Sequence, residues 1–454
     1  MKFNINPFNN LYDQNNITDK SHRRDLSLFA YAVTLGTVFF AVSAGTPFTG
    51  LAVALGADDM FYSLLFAIPL STCFLQFFAS WLLEKTHKRK TIFIIAGLFQ
   101  RILWIPVALV PLFVPMNSPS LRLWAVITLI TLSSLGGAFM NVSFFSWLGD
   151  VVPLKMRGRY LGLRSSIATI LGLISAFAAS FVLDHMPGLT GYTLVFGVGA
   201  IFGLADIVLF LWINDPPMQR HPQVSYIKSF LLVVKDKEFL LYLLFWTAWV
   251  FSWNLSGPFF NKYCLDKLHL SLSVTTLAGQ VASGIMTFVF IQWWGRKLDH
   301  RGHRWVLLRC GIVGSVVSLV WLFASPGQFW PLLIFALVNG MFTCGVDITS
   351  MHMLVTVTPQ QNRSIYIALY MVITSLAGAS LGYLAGGGLL NLMGELKFNL
   401  LGITFDRYKL LFIGAGMLRL LVILCLLPLI ANLGHSKGED KEMENMIGRV
   451  NENA

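Results

Sequence analysis

Gly295-Arg296-Lys297-Leu298-Asp299-His300-Arg301-Gly302-His303-Arg304 stands between two apolar runs, 271–294 and 305–325. Each flank is about 20 residues long, enough at roughly 1.5 Å per residue to cross a hydrocarbon core of about 30 Å. A short, strongly basic turn between two such runs reads as a connection held on one side of a bilayer. Reading outward from it in both directions predicts twelve apolar spans, at 27–52, 61–83, 91–115, 121–148, 161–183, 192–213, 238–260, 271–294, 305–325, 329–355, 364–390 and 409–432. The interruptions carry turn chemistry, as at Gly56 to Asp59, Pro187-Gly188, Pro216-Pro217 and Pro326-Gly327.

The composition agrees with that reading. Of 454 residues, 56% are hydrophobic and 14% aromatic, while only 12% are charged, about half the charge of a soluble globule. The mean hydropathy is +0.67. A cytosolic enzyme is excluded, and the pattern disfavours a barrel, whose strands would alternate with period two over about ten residues. Helices must span, because each buried backbone amide has to find its partner within its own segment. The net charge of +11 is not arranged as a basic stripe with interleaved aromatics, so no nucleic-acid partner is implied. It marks topology instead. Alternate connections hold 23 Lys and Arg on one side and 6 on the other, which predicts both termini in the cytoplasm; the membrane expected is the cell (inner) membrane. Residues 1–26 are polar, without an apolar core or small-residue cleavage site, so no removable signal peptide is expected. The five cysteines, Cys73, Cys264, Cys310, Cys344 and Cys425, lack metal-ligand or paired spacing and read as packing residues.

The chain repeats itself. Pro153, Arg157 and Tyr160 after span four return as Pro359, Arg363 and Tyr366 after span ten, and Gly45-Thr46-Pro47-Phe48 in span one is echoed by Ser256-Gly257-Pro258-Phe259 in span seven. The expected organisation is an N-terminal segment (1–26), a six-helix bundle (27–213), a linker with an interfacial helix (214–237), a second six-helix bundle (238–432) and a polar tail (433–454). Such a duplication implies two pseudo-symmetric bundles with a site near the bilayer midplane. In the linker, Ile227, Phe230, Leu231 and Val234 recur at helical spacing beside Lys228 and Lys235, the pattern of a helix lying in the interface.

The loop quoted first has a degenerate copy between spans two and three, Ser80 to Arg89. Together they resemble the signature loop of the major facilitator superfamily, matched here by Gly295, Asp299, Gly302 and Arg304. The first copy departs from it, with Ser80 for the first glycine, Glu84 for the aspartate and His87 for the second glycine. The resemblance covers roughly residues 27–432 and implies twelve helices in two bundles, transport by alternating access, and a conformational latch at the loops. The residues expected in the latch are Glu84, Arg89, Arg157, Gly295, Asp299, Gly302, Arg304 and Arg363. Small residues there let helices approach closely, and acids pair with bases or helix N-termini. The resemblance implies that this loop stabilises the outward-open state. The arginine that drug/proton antiporters of the family carry before the span-four glycine pair is missing before Gly136-Gly137, and span five lacks a Gly-Pro pair.

The resemblance places spans one, four, seven and ten around the central cavity. Span ten presents Asn339, Thr343 and Asp347 on one helical face, and the repeat sets Asn141 opposite Asp347. A carboxylate at such depth costs about 2.5–3.5 kcal/mol on insertion scales, so it should face water, a partner or a proton. Asp347 is therefore the expected proton-coupling residue, with His352 as its relay. Span seven carries Trp246, Trp249 and Trp253 on one face, then Asn254. Flat aromatic faces beside amides suit sugar rings. Lipid-facing placement is as good a reading for Trp246. Thr276, Gln280, Ser283 and Thr287 in span eight, and Tyr366, Tyr370 and Thr374 in span eleven, form uncharged polar stripes, which favour a neutral solute or merely pack on neighbouring helices. The expected solute contacts are Asn141, Trp253, Asn254, Gln280, Asn339, Thr343 and Tyr370.

Arg101, Asp206 and Arg419 also interrupt apolar runs; Arg101 and Asp206 lie at comparable depth and are expected to neutralise each other. A cavity-facing Arg101 or Arg419 would turn the solute anionic. Asp58-Asp59 reads as a solvated helix start. The function expected is secondary transport of a small polar solute, a sugar or glycoside favoured, coupled to H+ or Na+, by a monomer in a lipid bilayer, without catalysis, cofactor or metal. The alternatives are efflux of hydrophobic compounds and a non-transporting sensor on the same scaffold.

Overall fold

The computed structural model describes residues 7–15, 19–114, 119–153, 155–186, 188–216, 233, 235–359, 363–400 and 403–430. The expected interfacial helix of the linker and the C-terminal tail lie outside the described residues.

Eleven helices are long and apolar enough to cross a membrane among the described residues: Lys20–Ala54, Asp59–Thr86, Arg89–Phe113, Ser120–Val151, Arg157–His185, Leu189–Phe210, Lys237–Asp266, Leu272–Phe323, Trp330–Val357, Ile365–Met393 and Arg407–Ile430. Leu272–Phe323 has 52 residues, roughly 78 Å of helix, and breaks at Gly302, where φ is 76° and ψ 168°. It therefore supplies spans eight and nine, which makes twelve. Three of the span starts are capped by an aspartate side chain. Asp19 accepts from the Ser21 amide at 2.9 Å, Asp58 from Phe61 at 2.7 Å and Asp236 from Phe239 at 3.2 Å, each satisfying an amide that has no partner within its own helix.

Two compact units result, 1–221 with 261–280, and 222–260 with 281–454. The sequence division placed 261–280 in the second bundle; by its contacts it belongs to the first unit. In the first unit Phe29, Phe93, Trp147 and Phe210 form an aromatic core, with Phe93 and Phe210 centroids 4.5 Å apart. A short helix, Asn9–Gln14, docks on this core, with Phe8, Leu11 and Tyr12 buried. The Tyr12 hydroxyl lies 3.2 Å from Ser27 Oγ, and burial pushes its phenol up to about 12. The N-terminal segment, read from sequence only as polar, is thus partly an element of the fold.

The Asn261–Gln280 segment is tied into the first unit by polar contacts. Lys262 Nζ donates to Asp59 at 2.6 Å and to the Ala57 carbonyl at 3.0 Å. The Asp184 carboxylate accepts from the Leu272 and Ser273 amides at 2.9 and 2.8 Å, capping the start of span eight. Ser180 and Thr276 hydroxyls meet at 2.7 Å. Asp59 is 2% exposed, so the expected solvated helix start is half corrected: Asp58 caps, while Asp59 is a buried ion-pair partner.

In the second unit Phe260, Trp321, Phe335 and Phe412 stack together. Spans eight and ten approach closely at Gly340, where a Cβ would overlap the Ser283 carbonyl. Spans eleven and twelve are joined by an antiparallel hairpin, Lys397–Leu400 with Ile403–Asp406, in which Phe398 lies opposite Phe405. This local sheet is unannounced by the helical reading. Both span eight and span eleven contain a π-helical stretch, at Thr276–Val281 and Thr374–Ser380.

Candidate functional site

Spans seven, ten and eleven of the second unit line an open cavity of about 320 Å³. Its walls follow helical periodicity. Trp246, Trp249, Trp253 and Asn254 come from span seven, Asn339, Thr343, Val346, Asp347 and Ser350 from span ten, and Tyr370 from span eleven. Positions 339, 343, 347 and 350 are spaced by four, four and three, one face of a helix. Six of the expected solute and proton residues, Trp253, Asn254, Asn339, Thr343, Asp347 and Tyr370, therefore come together.

Much of the wall is held by its own hydrogen bonds. Thr343 Oγ1 donates to the Asn339 carbonyl at 2.7 Å, Asn254 Nδ2 to Val250 at 2.7 Å, and the Ser350 and Tyr370 hydroxyls meet at 2.9 Å. Tyr242 donates to the Ser350 carbonyl at 3.0 Å and so supports that pair from behind. Three polar groups stay unused. Trp246 Nε1 and Asn339 Oδ1 are buried without a hydrogen-bond partner among the described residues, a condition that costs about 1–3 kcal/mol per group. Asp347 is exposed, and among the described residues no ion pair includes it. A donor-rich solute, water or a proton is what such a wall can take.

The other expected contacts are not among the residues that line this cavity. Asn141 is exposed on span four of the first unit. Gln280 belongs to that unit as well, beside the Gly45 break in span one. His352 is exposed and is not part of the cavity wall, because two residues beyond Ser350 the helix has turned its side chain away. The span-eight stripe is used for packing: Thr276 bonds Ser180, and Thr287 donates to the Gly340 carbonyl at 3.1 Å. Trp246, equally readable as lipid-facing, is 2% exposed and lines the cavity. Ser350 was not singled out, although it continues the polar face of Asp347 by three residues.

The expected latch residues separate into two groups. Arg89 is 1% exposed and bridges the ends of spans four and six, pairing with Asp150 and, at 2.7 Å, with Asp215. Arg157 donates to the Gly149 carbonyl and, at 3.1 Å, to Val152, closing the last turn of span four. Glu84, Asp299 and Arg304 are exposed. Gly302 supplies the left-handed turn. At Gly295 a Cβ would meet nothing within 4 Å among the described residues, so no close approach of the described helices depends on it. The side chain of Arg363 lies outside the described residues.

The buried charges resolve differently in the two units. Arg101 and Asp206 pair at 3.0 Å, both almost fully buried, as their matching depth predicts. Arg419 is fully buried and does not line the cavity. Its guanidinium donates to the Ala415 carbonyl, the Gly314 carbonyl and Ser318 Oγ at 3.2, 3.3 and 2.8 Å. It also lies over the Trp253 ring, 4.5 Å from the centroid.

Comparison with known proteins agrees with this architecture. A curated relative, the vacuolar membrane amino acid uptake transporter fnx2 of Schizosaccharomyces pombe, is 21% identical over 282 residues, 61% of this chain. The chain spans 42% of the length of that relative. A mutant of the nucleoside transporter NupG superposes with a TM-score of 0.68 at 14% identity, over 89% of this chain and 99% of that one. A bacterial homologue of the human lysosomal transporter Spinster gives 0.64 at 13%, over 92% and 97%. A D-xylose-proton symporter gives 0.65 at 12%, over 87% and 96%. At these identities the structures share the fold. The family profile described as Major Facilitator Superfamily matches residues 27–293 and 250–445, and the chain belongs to this superfamily of membrane transporters.

Proposed function

We propose that the protein is a secondary active transporter of a small polar solute, a sugar or glycoside by preference, driven by a proton carried on Asp347. The observation that carries this reading is the Asp347 carboxylate, unpaired among the described residues, on a cavity walled by three indoles, two amides and hydroxyls. Indole faces stack on the CH faces of sugar rings, and amide and hydroxyl groups pair with their hydroxyls. The cavity volume of about 320 Å³ suits one small solute. Proteins of similar fold include transporters named for nucleosides and xylose, and a relative named for amino acids, all small and polar. Alternating access by a monomer in the cell membrane, with both termini in the cytoplasm, completes the reading; the 23-to-6 distribution of Lys and Arg supports the orientation. Arg89 and Arg157 carry the latch reading, since both act on the same end of span four.

The test is uptake into proteoliposomes under an imposed pH gradient, using D-xylose, uridine and leucine as probes, chosen after a thermal-shift screen of these classes. Asp347→Asn is expected to abolish uphill accumulation while sparing solute exchange. Unchanged accumulation in the variant would overturn the proton assignment, and stabilisation by amino acids alone would replace the saccharide.

A further inference from the structure

Arg419 poses a problem that the transport reading leaves unused. A guanidinium in the interior of a membrane span is costly, and such residues ordinarily pair with an acid or mark a functional place. Arg101 follows the first pattern, with Asp206 at 3.0 Å. Arg419 has no ion-pair partner among the described residues and is held by two carbonyls, one hydroxyl and the face of Trp253. Its seat is built for it. Gly416, one turn earlier on span twelve, sits so close to span nine that a Cβ would crowd the Ser315 carbonyl and Ser318. That approach brings Ser318 within 2.8 Å of the guanidinium.

Trp253 lines the cavity, and the guanidinium covers a face of its ring. The negative face of an indole attracts cations. A cavity with three indoles and an unpaired carboxylate would therefore gather organic cations, the opposite of a neutral solute. The fixed positive charge behind Trp253 acts against this. It engages the quadrupole of the ring, and in a medium of low polarity its field reaches across one ring thickness into the cavity.

We propose that Arg419, acting through Trp253, is a charge-selectivity residue that keeps cationic solutes out of the Asp347 cavity and leaves it to neutral ones. The inference rests on the cavity being the solute site, as argued above. Arg419 is thus a positioning residue, not a solute contact.

The test measures binding of tetraphenylphosphonium and of methyl β-D-glucopyranoside to the purified full-length protein, by thermal shift and by quenching of tryptophan fluorescence. Arg419→Met removes the charge and keeps much of the volume; Arg419→Lys keeps the charge. The expected result is a gain of about tenfold or more in tetraphenylphosphonium affinity for Arg419→Met, near-wild-type affinity for Arg419→Lys, and glucoside binding changed by less than the cation's. Should Arg419→Met fail to fold, Arg419→Gln carries the same comparison. Equal cation affinity in wild type and a folded uncharged variant overturns the proposal. The glucoside arm is separate: a wild type that ignores the glucoside, with the cation gain present, refutes the saccharide reading and leaves the filter standing.

Discussion

Arg101 and Asp206 show how much one residue's fate depends on a partner far along the chain. The pair is buried at 0% and 4% side-chain exposure, and the glycines around it are there to admit it. A Cβ at Gly36 would overlap the Asp206 carboxylate, and one at Gly203 would press on Arg101 and Phe39. Arg101→Met should destabilise the protein by about 3–5 kcal/mol, because it leaves the buried Asp206 carboxyl without its partner in an apolar interior. The double change Arg101→Met with Asp206→Leu should recover most of that, since it removes both charges. Thermal unfolding in one detergent checks both, and additive losses in the double variant would show that the two side chains do not act as a pair. This pair was legible in the sequence, as two lone charges at matching depth in apolar runs. Asp59 was not. Its partner, Lys262, is 203 residues away, and nothing local distinguishes it from Asp58, which caps the helix as expected.

Among the elements, the loop between spans eight and nine carries the family signature, and its two glycines do different work. Gly302 adopts φ 76° and ψ 168°, a region open essentially to glycine alone, so Gly302→Ala should cost about 1–3 kcal/mol. Among the described residues Gly295 has no neighbour within 4 Å of where a Cβ would lie, so Gly295→Ala should hold or slightly raise the melting temperature through the helix propensity that it adds. Equal effects of the two substitutions would remove the distinction. The motif itself could be read without a structure, but the division of labour within it could not, since a backbone angle and an empty neighbourhood leave no separate mark on composition. The cavity wall was legible for a similar reason and to a similar extent. Helical periodicity put Asn339, Thr343 and Asp347 on one face, and the same rule extended by three residues would have included Ser350. The π-helical stretches at Thr276–Val281 and Thr374–Ser380 had no such marker, although stretches of this kind recur at functional sites.

At the scale of the whole chain, Asn261–Gln280, which holds the end of span seven and the start of span eight, groups with the first unit and not with the rest of those spans. Lys262 is central to that attachment, through Asp59 and the Ala57 carbonyl. Lys262→Met should raise amide hydrogen exchange across 261–280 by about tenfold or more while leaving span seven before Asn254 protected. Adding Asp59→Asn should return part of the protection, because it removes the negative charge that Lys262 balances. Unchanged exchange in Lys262→Met would mean that apolar packing alone holds the segment.

The count of spans, the duplication, the family and the two faces that build most of the cavity were all written in the linear chain. They depend on rules that act over one turn or one membrane thickness: a span must be apolar for about 20 residues, its hydrogen bonds close within four, and its faces recur every 3.6. Folding in three dimensions settled which charges are partners, that Gln280 and Asn141 fall in the first unit while Trp246 lines the cavity of the second, and that Arg419 lies over the Trp253 ring without entering the cavity wall. Those outcomes are contacts between residues up to hundreds of positions apart. Nothing in the residues near each one encodes its partner, because a buried charge or indole is stabilised by whatever the packed neighbouring helix brings against it.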